Sequence, residues 1–156
     1  MHPLDIPIAE NGGPFRPLRA APGLLRRVMC RVFFHPDERV APVAIDQNLT
    51  AGEMLPIAGI EVIHAPGHCA GQVALLWRRG RMLFAGDVCM NVMGLGDPVG
   101  FESLKEGRAS QRKVASLSFD HAGFGHGEPI VHDASTRFLN TYGKHPEDVH
   151  QQRSAA

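Results

Sequence analysis

Three residues carry side chains suited to metal coordination and stand where a turn can aim them into a cleft. His68 follows Pro66-Gly67 and precedes Gly71. Asp87 follows the apolar run Met82–Ala85 and Gly86, and His126 stands between Gly125 and Gly127. Imidazole and carboxylate together suit Zn2+, with Fe2+ and Mn2+ as alternatives. A cation so held lowers the pKa of a bound water and polarises an ester, thioester, amide or phosphate oxygen. A carboxylate leaving a buried strand also needs a partner, because burying it unpaired is costly, and a cation supplies one. Singly, each residue has a plainer reading, as a turn or core histidine or as a strand-end cap. The shared setting, a loop position beside glycine, makes the trio a candidate site. Three ligands hold at most one ion per chain, or none.

Other polar residues lie close to these in sequence. Cys69 and Cys89 follow His68 and Asp87, His64 stands four residues before His68 at the end of a strand, and His121 precedes His126. They are expected behind the ligands, orienting them rather than binding metal, with small buried thiols the commoner role for the cysteines. No serine sits in a G-x-S-x-G context and no glycine-rich phosphate loop follows a strand, so a nucleophile elbow and a nucleotide loop find no support.

The elements that must position these residues read as follows. Residues 1–21 are expected to be irregular, broken by Pro3, Pro7, Pro14 and Pro17. Leu24, Leu25, Val28, Met29, Val32 and Phe33 fall at helical spacing opposite Arg26, Arg27 and Arg31, and Pro36 stops the run. This predicts a surface helix with one buried face; a basic amphipathic helix for a membrane or partner is the alternative. Residues 40–46 suit a short edge strand, given Pro42. Ile57–His64 predicts a strand. Gln72–Trp77, nearly all apolar, predicts a second strand buried on both faces. Arg78-Arg79-Gly80-Arg81 makes a basic hairpin turn into a third strand, Met82–Ala85. Ser103 and Glu106 form a capping-box pattern for a helix to about Leu117, which Gly107 weakens by roughly 1 kcal/mol relative to alanine. Phe119–Phe124 suits a last strand. Asp133 suits the cap of a final helix ending at Gly143, and the polar tail 144–156 is expected to fray.

Composition bounds the rest. A chain of 156 residues predicts one domain, 1–156. Lys plus Arg (16) equals Asp plus Glu (16), which gives no support for a nucleic-acid partner or an anionic membrane surface. Three cysteines without a C-x-x-C pair fit a reducing compartment rather than a disulfide framework. There is no membrane-length apolar run, and the opening lacks the order of a signal peptide, so the cytoplasm is the expected location.

Three segments together resemble a known family. EVIHAPGHCAGQVAL (residues 61–75) is similar to the "TPGH" segment of the metallo-beta-lactamase-fold hydrolases, the superfamily that includes glyoxalase II. RMLFAGD (81–87) resembles its "LFTGD" strand and aspartate, and FGHGEPI (124–130) its final "GHG" turn. The likeness runs from about Leu55 to Tyr142. It implies an α/β (α+β) fold, the αββα sandwich, of which this chain would be mainly the C-terminal half. It also implies that His68 is the third histidine ligand of a first metal, that Asp87 is the bridging and catalytic carboxylate, and that His126 binds a second metal. The family's H-x-H-x-D-H segment has no counterpart among the 156 residues. The resemblance therefore implies a metal-dependent hydrolase-like protein, weak or inactive alone. The alternative is a non-catalytic structural or metal-binding remnant acting through association. A missing first sheet would leave the run from Gln72 to Trp77 uncovered, which predicts a homodimer or a partner chain that supplies the missing half.

Overall fold

The computed structural model describes residues 1–35 and 37–143; the polar tail expected at 144–156, and Pro36, lie outside the described residues. The amino-terminal segment is not irregular throughout. Helix α1 (Ile6–Asn11) has a proline in its first turn and ends at Gly12 in the left-handed conformation. A first-turn N–H has no intrahelical acceptor, so Pro7 starts this helix rather than breaking it. Strand β1 (Arg19–Ala20) also falls inside the stretch expected to be irregular.

Helix α2 (Leu24–Phe33) forms where the spacing predicts it, but its apolar face is not buried. Cys30 is its one buried residue, while Leu24 is 78 % and Phe33 71 % exposed. The regular element it packs on is β1, which has two residues and cannot cover a ten-residue helix. Residues 40–46 form no strand. Their backbone closes onto the end of α1 instead: the Val40 N–H donates to the Gly12 carbonyl at 3.2 Å, and the Val43 N–H to that of Ala9 at 3.0 Å. Pro42 between them has no N–H, which removes a rung from any ladder.

The main sheet contains β2 (Met54–Leu55), β3 (Ile60–His64), β4 (Val73–Trp77), β5 (Met82–Phe84) and, at its far edge, a short strand His121–Gly123. Neighbours are antiparallel except for that last pair, which is parallel. β3 starts at Ile60 rather than Ile57, because Ala58 and Gly59 take left-handed backbone and turn the chain first. β4 is not buried on both faces. Ala74 and Leu76 are fully buried, whereas Val73, Leu75 and Trp77 are only partly covered. Successive side chains of a strand point to opposite faces, and helices cover only one of them.

Those helices are α3 (Leu104–Ala115) and α4 (Ala134–Tyr142). The core lies between them and the inner face of the sheet, built from Ile63, Ala74, Leu76, Leu83, Val114, Phe119 and Phe138 among others. β6 (Gly100–Phe101) pairs antiparallel with β1 as a small ribbon beside this core, and His121–Gly123 is β7. The Ser103 hydroxyl accepts the Glu106 N–H at 3.3 Å, the expected cap of α3. The predicted Asp133 cap is not made. Asp133 has φ 55° and its side chain bonds no helix N–H; a capping carboxylate needs extended backbone to reach back into the first turn. Among the described residues no helix is long and apolar enough to cross a membrane.

The amino terminus docks through an aromatic contact that titrates. The His2 ring stacks on His64 with centroids 4.1 Å apart and planes within 6°. Burial lowers the His2 pKa from its ordinary 6.5, and the neighbouring His64 lowers it further. The folded pKa lies below the unfolded one, so the docking stability is present above pH 6.5 and is lost as pH falls through the folded value. NMR shifts of residues 1–13, followed from about pH 8 to about pH 5, are expected to move toward those of a loosened segment. His2→Phe, which keeps the stack, is expected to abolish that pH response. Identical titrations of the two proteins would refute the assignment.

Candidate metal centre

Strand direction brings the candidate ligands to one edge. β4 is antiparallel to both β3 and β5, and β7 is parallel to β5, so β3, β5 and β7 all run the same way. Their carboxyl ends share one edge of the sheet, where α/β folds collect ligands. His68 follows the end of β3, Asp87 the end of β5 and His126 the end of β7. His121 opens β7, at the opposite end from His126.

The His68 turn is fixed from both sides. Its Nδ1 lies 2.9 Å from the Gly100 carbonyl. A carbonyl only accepts, so Nδ1 carries the proton and Nε2 keeps its lone pair. The carbonyl of His68 accepts the Glu102 N–H at 3.2 Å, and that of Gly67 accepts the Ser103 N–H at 3.0 Å. The turn can sit this close to α3 because both partners are glycine. A Cβ on Gly67 would stand 2.2 Å from the Gly107 Cα, and one on Gly107 would stand 2.4 Å from the Phe101 ring. Gly107 is thus a packing requirement rather than the weak point that propensity alone implies.

Two carboxylates hold the residues that follow. Asp5 accepts the Gly71 N–H at 3.1 Å and the Cys69 thiol at 3.1 Å, while Glu102 accepts the Ala70 N–H at 2.8 Å. Arg16 bridges them, pairing with Asp5 and donating to Glu102 at 2.9 Å. Burial, and then the Asp5 carboxylate, push the Cys69 thiol well above its ordinary pKa, so it acts as a protonated donor. The His64 ring lies with Nε2 2.8 Å from the Ala70 carbonyl and serves the same turn.

Asp87 sits in a short turn, Gly86–Val88. Its Oδ1 is buried with no hydrogen-bond partner among the described residues, and the His126 Nε2 is 3.7 Å away. Gly125 makes the room, since a Cβ there would stand 2.4 Å from that oxygen. From behind, the fully buried Gln111 donates to the Val88 carbonyl at 3.1 Å and to Asp97 at 3.2 Å. Arg108 pairs with Asp97 and donates to the Gln111 Oε1 at 2.9 Å. Cys89 points into the core beside Tyr142, and burial raises the pKa of its thiol.

Asp87 and His126 are therefore neighbours, and His68 and His126 line one cavity of about 440 Å³. Among the described residues, no three His, Cys, Asp or Glu side chains are drawn together tightly enough to share a metal. His121 stands apart, its Nδ1 2.6 Å from the Val131 carbonyl. Arg78 and Arg81 pair with Glu61 and Asp120. Asp5, Arg16, Glu102 and Gln111 are the supporting residues that sequence reasoning missed. Only Gln111 left a signal: with Gly107 and Val114 it lies on the inward stripe of α3, where a polar residue needs a buried partner.

Known proteins share this fold. The sequence profile of the metallo-beta-lactamase superfamily matches residues 2–134. A metallo-beta-lactamase family protein from Thermus thermophilus shares 28% identity at a TM-score of 0.55, covering 76% of this chain and 39% of its own. TTHA1623, solved in a di-iron-bound form, shares 25% at 0.53, covering 84% and 58%. BLEG-1 B3 metallo-beta-lactamase, at 21% and 0.57 over 91% and 62%, shows the fold alone. The chain thus spans less than two thirds of the length of each of these structures. Three loop motifs at the carboxyl ends of like-directed strands, together with a profile match over most of its length, show that the chain belongs to the metallo-beta-lactamase superfamily.

Proposed function

We propose that this chain is a metal-dependent, glyoxalase II-like hydrolase component in which His68, Asp87 and His126 hold one divalent cation, Zn2+ or else Fe2+ or Mn2+. The observation that carries this reading is the buried Asp87 Oδ1, which has no hydrogen-bond donor among the described residues and lies beside the His126 Nε2. A buried carboxylate oxygen without a partner is costly, and a cation between it and the imidazoles would remove that cost. His68 offers Nε2 because the Gly100 carbonyl occupies its other nitrogen. A cation held there supplies Lewis-acid polarisation of a carbonyl or phosphoryl oxygen. The chain itself aims the donors: Gln111 holds the Asp87 turn to α3, and Gly125 leaves space for the carboxylate.

Three ligands, with no H-x-H-x-D-H segment in the 156 residues, make hydrolysis by this chain alone weak or absent. Further ligands would have to come from outside these 156 residues, for which a second copy or another polypeptide is one source. Metal content per chain, measured on protein purified without chelator and read with its mass in solution, tests this. About one ion per chain is expected, and Asp87→Ala is expected to weaken binding by more than the ~10–100-fold typical of losing an outer partner. No metal after addition of Zn2+ or Mn2+ would overturn the reading. It would favour a non-catalytic structural remnant acting through association, which the absence of a three-residue cluster among the described residues supports.

A further inference from the structure

We propose that the cavity between α2 and the two histidines receives the alkyl or acyl tail of an ester or thioester. The hydrolysable group would lie at His68 and His126. The bond chemistry rests on the hydrolase reading above, but the tail site does not. Hydrolysis would add water across the acyl C–O or C–S bond: the hydroxyl stays on the acyl carbon and the proton goes to the departing alcohol or thiol.

The cavity measures about 440 Å³, within the range of small-molecule sites. Its walls include Leu18, Met29, Phe33, Phe34, Met90 and Val99, with the imidazoles of His68 and His126 among them. Such a lining, apolar but for two imidazoles, suits an amphiphile. A sugar or a multiply charged group would bury polar atoms against Met29 and Phe34 without partners, whereas a hydrocarbon tail gains free energy with each methylene. It also gives α2 a role that its few core contacts do not: Cys30 is its one buried residue, yet Met29, Cys30 and Phe33 all line this space. A second cavity of about 490 Å³ shares Leu18, Phe34 and His68 but opens onto Asp5 and Glu102. It contains no second histidine, and its carboxylates would repel an acid product.

The test is calorimetric titration of the full chain with straight-chain butanoate, hexanoate, octanoate and decanoate, the acid products of such substrates. Affinity is expected to rise about fourfold per methylene until the cavity is full. Met29→Trp, which fills the cavity, is expected to abolish that dependence, and Ile8→Trp in the second cavity is expected to leave it intact. Should Met29→Trp lose its circular dichroism, Val99→Phe replaces it. Equal affinity for all four acids would overturn the proposal. So would a chain-length dependence that survives the filling variant, or one lost in Ile8→Trp instead. Length-dependent binding by protein that holds no metal after addition of Zn2+ or Mn2+ would uphold the tail site and refute the hydrolase reading.

Discussion

Replacing Phe138 with alanine is expected to lower the unfolding free energy by about 3–5 kcal/mol, the usual cost of removing a fully buried phenylalanine. The ring has no exposed surface. It meets Phe119 edge-on at 5.1 Å and 89°, stacks with Phe124 at 6.1 Å and 14°, and meets Tyr142 at 5.9 Å and 67°. These neighbours sit on α4 itself and on both sides of β7. A collapse that filled the hole would have to move the sheet edge as well as the helix. The void therefore stays largely open, and the cavity cost adds to the lost transfer energy. A fall in Tm of roughly 10 °C follows for a chain of this size. Leu139, the next residue and 55 % exposed, supplies the control; its alanine variant is expected to change stability by less than ~1 kcal/mol. Denaturant titration of both variants decides the matter. Near-equal losses would mean that the α4 aromatics are not the centre of the core. Phe124 directly precedes Gly125-His126, so the Phe138 variant is also expected to bind metal more weakly.

The parts of this molecule legible in the sequence are those whose cause is local. An apolar run closed by Ala65-Pro66-Gly67 reads as a strand and its turn. The basic hairpin fixes β4 antiparallel to β5, and β3, β4 and β5 alternate in direction as consecutive antiparallel strands do. That alternation by itself puts the segment after His68 near Asp87. Ser103 and Glu106 announce the start of α3, and the hydroxyl makes its bond.

What was illegible depends on partners far along the chain. Pro7 reads equally as breaker or helix starter until Gly12 is seen accepting Val40 across the helix end. The spacing of α2 predicts a helix correctly, but periodicity says nothing of whether a surface exists to cover it. The clasp on the His68 turn joins Asp5 to Gly71, 66 positions apart, and Arg16 to Glu102, 86 apart. Neither acid has a local reason to be where it is. The orphaned Asp87 oxygen is the reverse case. The sequence marks an acid at a strand end, but only the packing of Gly125 against it shows that no hydrogen-bond donor among the described residues reaches its oxygen.

Gly67→Ala is expected to cost about 3 kcal/mol or more, combining backbone strain with overpacking. Gly67 holds φ 139°, a region that an L side chain rarely adopts. The added Cβ would meet the Cα and N of Gly107 at 2.2 and 2.3 Å. Both are backbone atoms in the first turn of α3, so no side chain can rotate away. Relief requires α3 to lift from the turn, which breaks the Ser103-to-Gly67 and Glu102-to-His68 bonds and frees the Gly100 carbonyl from the His68 ring. Stability and metal binding are then expected to fall together, whereas Asp87→Ala is expected to lose metal with little loss of fold. Gly107→Ala separates the two contributions. Alanine gains roughly 1 kcal/mol in helix propensity, but its Cβ would stand 2.4 Å from the buried Phe101 ring, and the clash outweighs the gain. A Gly67→Ala protein within ~1 kcal/mol of the parent in denaturant would show that the turn does not bear on α3. His68 would then be held by the Gly100 carbonyl alone, and the site could be moved without disturbing the fold.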